Sequence, residues 1–186
     1  MRSEAELISG CARNEPGAQK ALYDRFAGRM LVVCLRYARS QQEAEDALQE
    51  GFIKVFQAIK DFRGDSQLAT WITRVMINTS LNAQRKKLYM LPMVDVEKVT
   101  LPESEEVHLA GIHLDELIAM VQSLPDGCRV VFNLFAVEGY GHKEIAAMLG
   151  ISEGTSKSQY NRAKQLLRAR LEKIEKDTRP YGKATF

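Results

Sequence analysis

Apolar residues recur along most of this chain at steps of three and four, the spacing that places them on one face of an α-helix, and strand-type alternation is nearly absent. Over residues 16–39 such a face collects Leu22, Phe26, Met30, Val33 and Tyr37. Over 43–60 it collects Ala44, Leu48, Phe52, Val55 and Ile59, and over 66–87 Leu68, Ile72, Val75 and Thr79. Together these segments predict an all-helical N-terminal module ending near Lys87.

The pattern then fails. Beyond Leu88 no helical period is kept, Pro92 and Pro102 withdraw backbone donors, and "PESEEV" is a polar acidic run. A linker of about 20 residues is predicted, longer than connections within a compact domain usually are. Helical spacing returns over 112–124. Pro125 then falls where proline is favoured, in the first turn of a helix expected to run to about Val137 before Gly139 and Gly141 stop it.

The most specific local pattern is "YGHKEIAAMLGISEGTSKSQYNRAKQLL". Ile145, Ala146 and Leu149 form the inner face of a short helix, Gly150 supplies the turn, Ile151 fills the corner, and Ser152 is a good N-cap for a second helix. A helix-turn-helix is predicted. In its second helix Tyr160, Ala163, Leu167, Leu171 and Ile174 are spaced to face the core, leaving Lys157, Ser158, Asn161, Arg162 and Gln165 on the exposed side. Residues 157–170 hold five Lys/Arg and no acid, whereas a merely solvated face usually interleaves Glu. Donors of this kind in the opening turns suit the base edges and phosphates of a major groove.

Two further surfaces stand out. In "DFRGDSQLATWITRVMINTSLNAQRKK" a Phe-Arg-Gly-Asp-Ser loop precedes a helix whose outward stripe is Thr70, Arg74, Asn78 and Arg85, with Lys86 and Lys87 beyond. An aromatic residue, amides and cations together suit single-stranded or melted DNA, where unstacked bases need a pocket and the backbone needs positive charge. Trp71 reads as core packing, and Asp65 and Ser66 can also be read as helix caps. The helix over 43–60 carries a second face of Asp46, Gln49, Glu50, Ile53 and Gln57. Carboxylates repel phosphate, so this face suits a protein partner, with ordinary helix surface as the alternative.

Composition excludes more than it selects. The 186 residues are 45% hydrophobic and 27% charged, as in ordinary globular proteins, and allow one domain or two small ones. No apolar run approaches the roughly 18 to 20 residues of a membrane span, and no signal-peptide core opens the chain, so a cytoplasmic protein is expected. Cys11, Cys34 and Cys128 lack a CxxC pair and are expected to be small buried hydrophobes; His108, His113 and His142 miss the HExxH pattern. Neither metal nor cofactor is expected. With no nucleophile beside a base and no phosphate-binding glycine loop, an enzyme is not expected either. The net charge of +2 hides a segregation: residues 1–88 carry 14 Lys/Arg against 10 Asp/Glu, 89–124 carry 1 against 7, and 125–186 carry 11 against 7. Two basic modules around an acidic connector fit a nucleic-acid-binding protein.

With "DALQEGFIKVFQAI", "FRGDSQLATWITRVMINT" and "EIAAMLGISEGTSKSQYNRAKQLLR" in this order, the chain resembles a bacterial RNA polymerase sigma factor of the extracytoplasmic-function group of the sigma-70 family. The resemblance implies an all-α fold of two small helical domains joined by a flexible acidic linker. Sigma region 2 would span 1–88, the linker 89–111, the region 4 helix-turn-helix 112–177 and a tail 178–186. It implies that Asp46, Gln49 and Glu50, with Ile53 beside them, dock on the polymerase beta-prime clamp. It further implies that Phe62, Arg63, Gly64, Asp65, Ser66 and Asn78, flanked by Arg74 and Arg85, bind the non-template strand of the minus-ten element and hold an extruded base. Lys157, Ser158, Asn161 and Arg162 would read the minus-thirty-five element. The linker acids Asp95, Glu97, Glu103, Glu105 and Glu106 would mimic the charge of nascent RNA. The implied partners are core RNA polymerase, through its beta-prime clamp and beta flap, promoter DNA, and an anti-sigma factor, with no membrane insertion. Ser156 departs from the family, which usually places an apolar residue there. On the residues alone, a one-component helix-turn-helix regulator with an N-terminal sensor domain is the alternative.

Overall fold

The computed structural model describes residues 2–88 and 113–178, with side chains over 2–83 and 113–174. Every regular element among these residues is helical, and the chain divides into two units, Met1–Lys86 and Lys87–Phe186.

The first unit opens on α1 (Glu4–Ala12), which the periodicity above does not predict. A capping box starts it: the Ser3 hydroxyl accepts the Glu6 N–H at 3.3 Å, and Glu6 Oε2 accepts the Ser3 N–H at 2.6 Å. Its inner face is short, with Leu7, Gly10 and Cys11 buried. α1 packs on α2 (Pro16–Tyr37) at Gly10, where a Cβ would fall 2.6 Å from the Cβ of Ala18. Only a glycine permits this approach.

α2 has proline at its start, and α3 (Gln41–Ala58) is capped by the Ser40 hydroxyl, which accepts the Glu43 N–H at 3.2 Å. A 3₁₀ turn (Ile59–Asp61) leads to the loop before α4 (Leu68–Leu88). The predicted faces of α2 and α3 are buried throughout, from Leu22 to Tyr37 and from Ala44 to Ile59. On α4 the face lies slightly differently. Leu68, Ile72 and Thr79 are buried as expected, but Val75 is half-buried, and Met76 and Ile77 lie deep in its place. Met76 is received by Gly51 on α3, where a Cβ would collide with its Sδ. All three cysteines are buried and outside any disulfide, and burial pushes the Cys34 thiol up to about 11.

The second unit comprises α5 (Leu114–Gln122), α6 (Asp126–Phe132), a π-helical segment (Asn133–Val137), α7 (His142–Leu149) and α8 (Glu153–Thr178). Pro125 occupies the N-cap of α6, one position earlier than expected. The helix expected to continue to Val137 changes pitch at Asn133, whose carbonyl accepts the Glu138 N–H at 3.0 Å from five residues on. Arg129 is a polar centre here, only 1% exposed. Its guanidinium donates to the carbonyls of Gln122 at 3.2 Å and Leu124 at 2.9 Å and pairs with Asp126. It thereby satisfies carbonyls at and just beyond the end of α5 and clasps α5 to α6. Gly150, at φ 69°, ends α7 in the left-handed conformation the tight turn requires. Among the described residues, no helix is long and apolar enough to cross a membrane.

Candidate nucleic-acid interface

α8 is capped as predicted, with the Ser152 hydroxyl accepting the Thr155 N–H at 2.9 Å. Its inner face is less apolar than expected. Ser156 is fully buried, and its Oγ lies 2.9 Å from Nδ1 of His142 on α7. The position where an aliphatic side chain was anticipated is instead a satisfied polar contact. Half-buried Gln159 follows, its Oε1 accepting from the Cys128 thiol at 3.0 Å.

Tyr160 then enters an aromatic nest, 4.5 Å from Phe135 and 6.2 Å from Phe132 between ring centroids. The His142 ring stacks on Phe135 at 4.3 Å and 11°. Burial, then the nearby Lys157 cation, holds the His142 pKa below the ordinary imidazole value, so the ring is neutral at neutral pH. Burial also raises the Tyr160 hydroxyl above its usual value.

On the outer face Lys157 and Arg162 are exposed. Ser158, Asn161 and Gln165 are half-buried rather than exposed, because the helix turns their stems toward the unit. The Ser158 hydroxyl donates to the Thr155 carbonyl at 2.8 Å, so toward a ligand it presents its lone pairs. Lys157 pairs with Glu153 one turn earlier at 2.7 Å, an exposed contact weak enough in water to be exchanged. That pairing holds the Glu153 carboxyl below its usual range.

In the first unit the Phe62–Ser66 loop runs from the 3₁₀ turn to α4. Gly64 has φ 76°, a left-handed turn residue, and with Arg63 and Asp65 it is exposed, while Ser66 is half-buried. Phe62 is half-buried against Trp71, centroids 5.3 Å apart at 51°. Trp71, expected to pack in the core, is half-buried. The first turn of α4 closes on Gln67, whose carbonyl accepts the Trp71 N–H at 3.1 Å. Thr70, Arg74 and Asn78 are exposed at helical spacing beside this loop. The Arg85 side chain lies outside the described residues, as do the linker acids Asp95, Glu97, Glu103, Glu105 and Glu106.

α3 carries the third surface. Asp46, Gln49, Glu50, Ile53 and Gln57 are all exposed, and Ile53, at 56%, is a large apolar side chain held in water among acids and amides. Glu50 pairs with Lys54 at 2.6 Å, and Lys54 also reaches the Thr79 hydroxyl of α4 at 3.4 Å. Among the described residues no group of three or more His, Cys, Asp or Glu could hold a metal ion.

The polar joints under α8 were not found from sequence. His142 and Ser156 lie 14 positions apart on different helices, and no periodicity pairs them. Arg129 was missed because a lone arginine in a helix ordinarily counts as surface.

Comparisons with known proteins place both units. The family model for sigma-70 region 2 matches residues 22–88, and that for sigma-70 region 4 matches residues 114–167. The RNA polymerase sigma-H factor of Pseudomonas aeruginosa is 29% identical over 180 residues, covering 90% of this chain and 93% of that protein. The ECF RNA polymerase sigma-E factor of Escherichia coli K12 is 30% identical over 173 residues, covering 83% of this chain and 88% of that protein. Among solved structures, the sigma factor RpoE in complex with the anti-sigma factor NepR from Bartonella quintana is 19% identical, with a TM-score of 0.49 over 84% of this chain and 97% of that one. The match over residues 22–88 disfavours a sensor domain in the N-terminal half, and with it the one-component regulator. The chain belongs to the sigma-70 family, as an RNA polymerase sigma factor of the extracytoplasmic-function group.

Proposed function

We propose that this sigma factor divides the reading of a promoter between its two units, each using the surface described above. α8 enters the major groove of the minus-thirty-five element with Lys157, Ser158, Asn161 and Arg162 toward the DNA. Lys157 exchanges Glu153 for a phosphate, Arg162 reaches a phosphate or base edge, and Ser158 accepts rather than donates. Phe62, Arg63, Gly64, Asp65 and Ser66, with Arg74, Asn78 and Arg85, take the non-template strand of the minus-ten element and one extruded base. Unstacking costs a few kcal/mol, which contacts in such a pocket can offset without ATP.

The α3 face of Asp46, Gln49, Glu50 and Ile53 docks on the beta-prime clamp, and the second unit meets the beta flap. An anti-sigma factor is proposed as a regulatory partner, because covering the α3 face withholds the chain from polymerase. The linker acids Asp95, Glu97, Glu103, Glu105 and Glu106 supply charge like that of nascent RNA. The factor works in the cytoplasm with its polymerase and contributes no covalent step of its own.

One observation carries this reading: the exposed stripe of Thr70, Arg74 and Asn78 beside the Phe62–Ser66 loop, on a unit other than the helix-turn-helix. A regulator that only binds duplex DNA has no use for it. In transcription with purified core polymerase, Asn78→Ala is expected to lower open-complex formation about tenfold, the scale of one lost base contact, while polymerase affinity is unchanged. Undiminished melting on every promoter tested would remove Asn78 from the pocket.

A further inference from the structure

The opening turns of α8 are joined to their unit by directional contacts. Ser156, with no exposed surface, meets His142 at 2.9 Å, and Gln159 meets Cys128 at 3.0 Å three residues later. The His142 ring is itself fixed, stacked on Phe135 at 4.3 Å with Tyr160 at 5.8 Å.

We infer that His142 is a positioning residue for minus-thirty-five recognition: its contact with Ser156 sets the rotation of α8 about its own axis, and so the angle at which Lys157, Ser158 and Asn161 meet DNA. The inference rests on the reading of α8 as the promoter-facing helix. Apolar side chains can slide or re-pair at little cost, whereas a hydrogen bond weakens steeply when its angle or length changes. Ser156 immediately precedes Lys157 and Ser158, so a rotation that broke the contact would swing both. Two attachment points on successive turns, to α7 at Ser156 and to α6 at Gln159, define a rotation that one could not. Buried polar contacts of this type add little net stability and can select one arrangement among several. His142 acts through Ser156 and touches no part of the groove itself.

The test uses the full chain with core polymerase and compares transcription from a promoter carrying its minus-thirty-five element with one in which that element is scrambled. His142→Ala and Ser156→Ala are each expected to lower the ratio of the two by about 3- to 10-fold, the scale of one hydrogen bond, with polymerase affinity unchanged. The double variant should be no worse than His142→Ala alone, and His142→Asn, which keeps a polar atom near the place of Nδ1, should recover part of the ratio. Losses that add in the double variant, an unchanged ratio in either single variant, or no recovery in His142→Asn would each overturn the inference. Where His142→Ala melts below the assay temperature, Ser156→Ala, which removes one oxygen, decides the matter. A wild-type chain indifferent to scrambling sinks the reading of α8 and this inference with it; a discriminating wild type with equally discriminating variants sinks the inference alone.

Discussion

From Leu68 to Ile77 the buried side of α4 is apolar, with Leu68, Ile72, Met76 and Ile77, and buried Thr79 and Ser80 follow only further along, whereas the inward side of the first turns of α8 carries Ser156, Gln159, Tyr160 and Ala163. Both helices are proposed to meet DNA, but not the same kind of DNA. A melted strand is flexible and can adapt to a surface whose support is simply stable, which apolar burial provides. A duplex is stiff, and its groove accepts a helix within a narrow range of angles. Fixing an angle calls for directional contacts, and these lie under α8.

The contrast can be broken most severely at Arg129. Arg129→Ala removes the clasp on Gln122 and Leu124 and leaves Asp126 buried without its guanidinium. A loss of about 4 kcal/mol is expected, read by hydrogen exchange as increased opening of the second unit, with the first unit as internal control. Exchange that rises equally in both units would contradict two separately stabilised units. Next comes Ile72→Ala on α4, fully buried in an apolar setting. A cavity there should cost about 3 kcal/mol, confined to the first unit, with no change in minus-thirty-five discrimination.

Gly10→Ala probes the smallest joint of the first unit. A Cβ 2.6 Å from that of Ala18 must push α1 from α2, for about 2 kcal/mol of destabilisation in denaturant titration. A neutral result would mean that α1 is not seated as described. The mildest test is acidification. Burial and Lys157 hold His142 below its ordinary pKa, opposed by Glu153, and Phe135 and Tyr160 complete its surroundings. The unfolded chain therefore takes up this proton near pH ~6.5, before the folded chain does. The His142 contribution is complete above that pH and is lost as pH falls toward the folded value. Melting temperatures of the second unit should fall more steeply below about pH 6.5 in wild type than in His142→Asn; parallel profiles would exclude His142 as the titrating group.

How legible all this was in the sequence follows the same division. α2 and α3 declared themselves because burial on one face repeats with the helix, and the Gly150 turn and Ser152 cap are local signals that need no tertiary context. α1 escaped because its inner face is only Leu7, Gly10 and Cys11, although Ser3 and Glu6 spelled out its capping box. The exposed residues Lys157, Arg162, Arg74 and Asn78 were legible as donors. The supports beneath them were not, since a contact such as His142 to Ser156 or Arg129 to Gln122 depends on how elements pack, and a one-dimensional pattern scores each member as surface. Ser156 shows the cost: the resemblance to the family marked it as a departure, and its partner His142 makes it fit.

The π-helical segment Asn133–Val137 acts as an arithmetic device. One extra residue per turn advances everything after it by roughly 100° relative to an uninterrupted α-helix. The phase it sets is the one in which Phe135 stacks on His142 and closes on Tyr160. Deleting Leu134, just ahead of Phe135 in this segment, would barely change composition, charge or helix content, yet it would turn the aromatic ring away from both partners. The helix proposed to read DNA thus depends on the counting of residues in a neighbouring segment.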